Sequence, residues 1–301
     1  MVRSIGWLAG LALTIAPALA HWDFLIGVQN GRAAVILPHP HPLQTMSLLF
    51  GQYTRELGIE YYIENGVPHL SAAGIQTVWI SHGLIGRIGS TDVACQSGCP
   101  NYFSMDASGH EHIRFRTMQP GIYIWDLRVV NARDINGNPV ADMDGVYRVY
   151  FRAGNPPYLY GAVDAPNYQG DLYRLILTLQ TRQGNQVVET INLPPCPNAL
   201  YTYMASFARP GTYTVVAKLS KHLSRRVDNL NLSGGVPLDW QFSIAGDVNN
   251  DDVIDDADLL QVLFAFGSAD ADSDVNGDGV VDDADLLVVL FNFGASGEGG
   301  Q

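Results

Sequence analysis

One stretch of sequence occurs twice near the C-terminus, first as DVNNDDVIDDADLL (residues 247–260) and again as DVNGDGVVDDADLL (residues 274–287). Calcium takes six to eight oxygen ligands, and a twelve-residue loop supplies them from positions 1, 3, 5, 7, 9 and 12. An acidic run is usually a solvated face, but a solvated face does not repeat in register with apolar residues. We therefore predict two calcium ions. The predicted ligands are Asp247, Asn249, Asp251, Val253, Asp255 and Asp258 in the first loop, and Asp274, Asn276, Asp278, Val280, Asp282 and Asp285 in the second.

Each loop is followed by one apolar helix and preceded by none, unlike an ordinary EF-hand. The predicted helices end at Phe266-Gly267 and Phe293-Gly294, where glycine suits a left-handed C-terminal cap. This loop–helix pair, with aspartate at position 12, resembles a type I dockerin over residues 246–295. The resemblance implies a non-catalytic docking module that binds a cohesin domain on a scaffolding or cell-surface protein.

Two features depart from the dockerin pattern. Asp252 lies at loop position 6, where glycine normally takes a positive φ, so the first calcium site should be weaker than the second, which has Gly279. Positions 10 and 11 are Asp-Ala in both copies, where many cohesin-binding dockerins have a hydroxyl residue. The helices are apolar on nearly all faces and must be buried, by each other, by the preceding domain or by a cohesin-like or other cell-surface protein.

The acidic charge is confined to this repeat region. The chain has 17 Lys and Arg against 30 Asp and Glu, and 14 of the acidic residues lie in 245–301, which has no Lys, Arg or His. Residues 1–244 are therefore close to neutral. Because phosphate binding requires clustered positive charge, we expect no nucleic acid partner.

The N-terminus is typical of a secretory signal peptide. Residues 1–20 contain Arg3, an apolar run and the small-residue site Ala18-Leu19-Ala20, so we predict cleavage after Ala20. No later segment has the 18 or more apolar residues of a membrane helix. The mature chain is expected to be secreted, extracellular or at the cell surface, without a transmembrane segment.

Export permits disulfides. Cys95 and Cys99 are separated by three residues and favour a small disulfide loop over a metal fragment, because there is no second cysteine pair. Cys196 is the odd cysteine of the three and is a candidate buried thiol.

The region between the signal and the repeat is strand-like. Apolar and polar residues alternate from Tyr123 to Val129 after the turn Pro120-Gly121, and again from Tyr213 to Leu219 after Pro210-Gly211. We predict a mainly β protein: two β-sandwich domains in series, followed by a small α-helical module with two EF-hand-like loops. The predicted boundaries are 1–20 for the signal peptide, 21–154 and 155–244 for the sandwiches, and 245–301 for the calcium module.

The second sandwich ends with GTYTVVAK (residues 211–218) and, after further short strands, with Asp239-Trp240-Gln-Phe242. This pattern loosely resembles the prealbumin-like or carboxypeptidase-regulatory-like sandwiches, which implies an Ig-like spacer.

Seven of the eight histidines lie in the first sandwich. His110 and His112 are two residues apart at the start of a strand and should face the same side. Cleavage after Ala20 would make His21 the N-terminal residue, with an α-amine beside its imidazole. His21, His110 and His112 are therefore a candidate zinc or copper site; the alternative is that each ring only hydrogen-bonds locally.

The motif Gly109-His110-Glu-His112, followed by Phe115, Pro120-Gly121 and Tyr123, resembles the G-H-x-H module of choice-of-anchor M and related surface-anchored repeat proteins. The resemblance implies a β-sandwich at the cell surface.

Three functions remain open at this stage. The favoured one is a non-enzymatic attachment protein with a calcium-dependent docking module. The second is a small copper or zinc enzyme acting on polysaccharide, with a histidine brace at His21, and the third is a carbohydrate-binding module. The carboxylates Glu60, Glu64 and Asp126 are available for glycoside hydrolysis, but their separation cannot be read from the sequence.

Overall fold

A computed structural model describes residues 24–37, 43–105, 107–197, 199 and 201–300. The protein is mainly β, with β-sandwich-like packing and two α-helices near the C-terminus, as the sequence predicted. Among the described helices, none is long and apolar enough to span a membrane.

The first part of the chain contributes thirteen strands to the described structure. They are β1 (Phe24–Gln29), β2 (Arg32–Leu37), β3 (Leu43–Leu49), β4 (Gln52–Tyr61), β5 (Ile63–Glu64), β6 (Val67–Pro68), β7 (Ala72–Ile80), β8 (Ile85–Ile88), β9 (Thr91–Ala94), β10 (Tyr102–Met105), β11 (His110–Thr117), β12 (Gly121–Arg133) and β13 (Tyr147–Ala153).

Strand β3 joins the two layers of this sandwich. Its first half pairs in parallel with β13, which continues through β12 and β7 to β10, and its second half pairs with β4, which continues through β11 and β8 to β9. β1 adds to the second layer as a parallel neighbour of β4 and also pairs with β2. The core between the layers is aromatic: Phe115 lies 4.8 Å from Trp125 and 4.6 Å from Phe151, measured between ring centroids.

The second part of the chain is built from shorter strands. They are β14 (Tyr158–Gly161), β15 (Val163–Asp164), β16 (Leu177–Gln183), β17 (Gln186–Leu193), β18 (Tyr203–Ser206), β19 (Gly211–Leu219), β20 (Lys221–His222), β21 (Arg225–Leu232), β22 (Gly235–Pro237), β23 (Trp240–Gln241) and β24 (Ala245–Asp247). The four-stranded sheet β17-β16-β19-β21 faces the smaller sheets β18-β14-β22 and β15-β23 across a core that includes Leu177, Val215 and Trp240.

The two sandwiches share a packed boundary. Ile122 and Ile124 are on the face of β12 opposite to the side chains of the first core. They lie in the second core together with Tyr150 of β13. The polar residue of this outer face, Asp126, is fully buried and forms a two-pronged ion pair with Arg148, both N–O distances being 2.7 Å. Strand alternation alone would place Asp126 in solvent, but the second sandwich covers that face.

The C-terminal module contains α1 (Asp256–Ala265) and α2 (Asp283–Phe291). Each helix begins with a capping box, made by Asp255 with Asp258 and by Asp282 with Asp285. Gly267 and Gly294 follow the helices at φ values of 79° and 82°. The module has its own small core, in which Ile254, Val262, Val281 and Val289 are fully buried, and Leu223 of the second sandwich also belongs to it.

A buried histidine lies where the second sandwich meets the module. The His222 ring is fully buried; its Nδ1 lies 2.9 Å from the Ser220 carbonyl oxygen, and its Nε2 has no hydrogen-bond partner among the described residues. Burial lowers the pKa of His222 from about 6.5 to about 4.

This shift predicts a pH-dependent loss of stability. Between about pH 6.5 and pH 4 the unfolded chain binds a proton at His222 that the folded chain does not, so the free energy of unfolding falls as the pH decreases through this window. The full shift corresponds to about 3 kcal/mol. Urea unfolding of the chain should show this decline, and His222→Leu should reduce it, whereas His82→Leu, at an exposed ring, should not. Equal slopes for all three proteins would contradict the prediction.

Candidate calcium loops and histidine pair

The first predicted calcium loop is folded around Asp247. The Asp247 side chain is fully buried; its Oδ2 accepts a hydrogen bond from the Asp252 amide at 2.9 Å and lies 2.7 Å from Lys218 Nζ. Its Oδ1 is buried and has no hydrogen-bond partner in the part of the chain that the structure describes. Burial raises the pKa of the Asp247 carboxyl, while the Lys218 ammonium acts in the opposite direction. A buried carboxylate oxygen without a donor is costly unless a cation lies beside it.

Asp258 and Asn249 of the first loop accept hydrogen bonds from the loop backbone. Asp258 Oδ1 accepts from the amides of Val248 and Asn249 at 2.7 and 3.1 Å, and its Oδ2 accepts from the Asp255 amide at 2.9 Å. Asn249 Oδ1 accepts in turn from the Asp251 amide at 2.9 Å. The loop is therefore closed at both ends by carboxylates at positions 1 and 12.

The second loop repeats this arrangement. Asp285 accepts from the amides of Val275, Asn276 and Asp282 at 2.7 to 3.0 Å, as Asp258 does in the first loop. Asp274 differs from Asp247 because both of its oxygens accept amide hydrogen bonds, from Gly277 at 2.8 Å and from Gly279 at 2.9 Å.

The candidate ligand atoms of both loops are oxygens, which calcium prefers, and the binding of two calcium ions stays a prediction. Within the described ranges, no three His, Cys, Asp or Glu side chains are grouped so that they could hold a metal ion. The loop carboxylates accept hydrogen bonds from backbone amides. A calcium loop also uses the oxygens of an asparagine side chain and of a backbone carbonyl, which a group of His, Cys, Asp and Glu side chains does not include. The unpaired Asp247 Oδ1 is the feature that fits a cation in the first loop.

Asp252, the non-glycine residue at loop position 6, has a positive φ of 76° and a contact that the sequence did not predict. Its Oδ1 accepts from the Ser224 amide at 2.7 Å, and its Oδ2 accepts from the Ser224 hydroxyl at 2.5 Å. The aspartate thus replaces glycine where its carboxylate joins the loop to the second sandwich.

Lysines of the second sandwich contact both loops. Lys221 Nζ donates to the carbonyl oxygens of Ala271 and Asp274 at 2.5 and 2.6 Å, and its amide donates to Asn250 Oδ1 at 2.8 Å. Burial lowers the pKa of Lys221. Together with Lys218, it places two positive charges against an acidic module.

The Lys218 contact predicts a difference between the two calcium sites. Because the ammonium lies against the position 1 carboxylate of the first loop only, it should repel an ion bound there. Lys218→Met should therefore raise the calcium affinity of the first loop several-fold and leave that of the second unchanged. Calorimetric titration with calcium measures this, with Arg32→Met, which removes an exposed positive charge of the first sandwich, as the matched control. Equal affinities in the wild type and Lys218→Met would contradict it.

The helices leave much of their apolar surface exposed. Phe264 is 87% exposed and its counterpart Phe291 is 82% exposed, whereas Val262 and Val289 are fully buried. The other apolar residues near half exposure form three further pairs related by the repeat. They are Leu260 and Leu287, Leu263 and Leu290, and Phe266 and Phe293. Within the described residues, packing of the two helices against each other covers one stripe of each, and the second sandwich leaves the rest exposed.

His110 and His112 lie together on β11, as their spacing predicted. Their Nε2 atoms are 2.6 Å apart, and their ring centroids are 4.5 Å apart. His110 Nδ1 lies 2.6 Å from Glu60 Oε1, and His112 Nδ1 lies 3.2 Å from Glu56 Oε1. His21, the third member of the predicted site, lies outside the described residues, so the three-histidine site and the histidine brace stay predictions.

The predicted cysteine loop is closed by a disulfide. Cys95 and Cys99 are bonded with a Cα–Cα distance of 6.1 Å, and Cys196 is a buried thiol.

Comparisons with known proteins assign no family. No protein-family model and no curated protein matches the chain. Among solved structures, two mutants of a type II cohesin–X-dockerin complex from Acetivibrio cellulolyticus match 46% of this chain and 96% of theirs, with 18% and 21% identity and a TM-score of 0.36. The major pilin subunit of Bacillus cereus matches 67% of each chain, with 10% identity and a TM-score of 0.22. Similarities this weak carry no functional argument.

Proposed function

We propose that the chain is a non-enzymatic attachment protein of the extracellular or cell-surface space, whose residues 245–301 bind two calcium ions and dock a protein partner. The observation that carries the proposal is the duplicated exposed surface of α1 and α2, centred on Phe264 and Phe291. Contiguous exposed apolar surface on a monomer marks an interaction site. The proposed partner is a cohesin-like domain, as the dockerin resemblance implies.

Calcium would serve this function by holding α1 and α2, which carry the exposed apolar surface, in a defined orientation. A bound ion would neutralise the loop carboxylates, which belong to a segment with thirteen aspartates in residues 247–285 that repel one another. The residues that would hold it are those at positions 1, 3, 5, 7, 9 and 12 of each loop. The capping boxes tie positions 9 and 12 to the first turn of each helix, so that an ordered loop sets the direction of its helix.

The proposal is tested by binding of the full chain to purified cohesin domains of types I and II, immobilised for surface plasmon resonance in calcium and in chelator. We expect binding to at least one of them in calcium only. Phe264→Asp combined with Phe291→Asp should abolish it, because two charges would be buried in the interface. Val187→Asp and Val188→Asp, at exposed apolar residues of β17, are matched controls that should bind as the wild type does. Failure to bind any cohesin in calcium would contradict the partner class.

A further inference from the structure

The rings of His110 and His112 are brought together by the pairing of β11 with β4. In this register His110 lies opposite Glu60, His112 opposite Gly58, and Arg114 opposite Glu56. Gly58 has no side chain, which leaves room beside the His112 ring on this face of the sheet. The two imidazoles consequently meet edge to face, with an interplanar angle of 67°.

The hydrogen bonds around the pair locate its protons. Glu60 as a carboxylate only accepts, so the 2.6 Å contact places the proton of His110 on Nδ1. His112 Nδ1 lies within ion-pair distance of Glu56 Oε1, at 3.2 Å, but is not aligned for a hydrogen bond. The two Nε2 atoms lie 2.6 Å apart, a distance at which either a proton carried by one of them or a bound cation must separate their lone pairs.

We propose that His110 and His112 form a two-imidazole site for a divalent transition metal ion, Zn²⁺ or Cu²⁺, with Glu60 and Glu56 orienting the rings from behind. Metal-ligating histidines commonly donate the second ring nitrogen to a carboxylate, which fixes the tautomer and makes the ligand more basic. Imidazole nitrogen suits zinc and copper, whereas calcium prefers oxygen, so the proposed site is chemically distinct from the two loops.

The geometry and charge of the pair fit such an ion. Metal–nitrogen bonds of about 2.0–2.1 Å in a tetrahedral site separate two ligand nitrogens by about 3.3 Å, so the rings need to move apart by less than about 1 Å. Both histidine side chains are 39% exposed, which leaves solvent access for the ion and for the water or partner atoms that complete its coordination. Of the two carboxylates, only Glu56 is also bonded to an arginine, Arg114 at 2.7 Å, so the negative charge of Glu60 remains to favour a cation.

The test is a zinc titration of the full chain in excess calcium by isothermal calorimetry. We expect one zinc equivalent that disappears in His110→Gln combined with His112→Gln. It should remain in His69→Gln combined with His82→Gln, since these rings contact Glu64 and Gln96 elsewhere. Glu60→Gln should keep the site but weaken zinc binding about 10- to 100-fold. With copper, electron paramagnetic resonance should show two imidazole nitrogens in the wild type and lose them in the double variant.

Two results would overturn the proposal. One is a wild type that binds no zinc, in which case the rings share a proton only. The other is an equal number of zinc equivalents in the wild type and the His110/His112 double variant. Unchanged far-ultraviolet circular dichroism and melting temperature of each variant establish that a lost equivalent is not the result of unfolding. None of these outcomes depends on the calcium module or its partner.

Discussion

Asp126→Ala is expected to lower the free energy of unfolding by about 3–5 kcal/mol, because it leaves the fully buried Arg148 guanidinium without its partner. The loss extends beyond the pair. Asp126 Oδ2 also accepts from the Tyr173 hydroxyl at 2.9 Å, so the carboxylate links strands of the first sandwich to the 3-10 turn Leu172–Arg174 of the second. Urea unfolding followed by tryptophan fluorescence measures the change.

The matched control is Asp92→Ala. Arg87 and Asp92 form an ion pair of similar length, 2.6 Å, but their side chains are 38% and 34% exposed, so solvent replaces the lost contact. Asp126→Leu combined with Arg148→Leu should recover part of the lost stability, since it removes both buried charges. A loss from Asp126→Ala no larger than that from Asp92→Ala would show that the buried pair does not hold the sandwiches together.

Removal of calcium is expected to unfold the C-terminal module within an otherwise folded chain. At a calcium concentration about 100-fold above Kd, each ion contributes about 2.7 kcal/mol, so chelation should accelerate amide exchange of α1 and α2 by roughly a hundredfold or more. Hydrogen–deuterium exchange on the full chain resolves this by region: amides near Val262 and Val289 should lose protection, while those near Trp125 should keep it.

Substitutions in each loop measure how much that loop contributes to the protection of the helices from amide exchange. Asp274→Ala combined with Asp285→Ala should reduce protection of the helices more than Asp247→Ala combined with Asp258→Ala. The ion of the first loop is opposed by the Lys218 charge in the wild type, and the Asp252–Ser224 contact still holds this loop when Asp247 and Asp258 are replaced. Equal protection of both helices in calcium and in chelator would contradict a folding role for the ion.

The parts of the structure that depend on near neighbours could be predicted from the sequence. The start of each helix follows from aspartates three residues apart, and the shared side of His110 and His112 follows from the two-residue period of a strand. The strand character of residues 123–129 follows from the same period. Both helices end earlier than predicted, α1 at Ala265 rather than Phe266 and α2 at Phe291 rather than Phe293.

The parts that depend on distant partners could not be predicted. Glu56 and Glu60 reach the histidines through the register of β4 against β11, about 50 residues apart in the chain, and no local pattern encodes that register. The burial of Asp126 depends on a second sandwich covering the strand. Likewise, the sequence around Lys218 and Lys221 looks like an ordinary strand end, because an alternating strand does not show what will pack on it.

The module is fastened to the second sandwich at both of its ends. Its first strand, β24, pairs with β20, and near its other end the Gly299 amide donates to the Ser224 hydroxyl at 2.7 Å, while Glu298 pairs with Arg225 at 3.0 Å. A tensile load transmitted from a docked partner would therefore be shared among several bonds acting in parallel, and the connecting peptide would not carry it alone. Under such a load the lifetime of the attachment is set by how fast these bonds rupture together, a kinetic quantity that equilibrium affinity does not report.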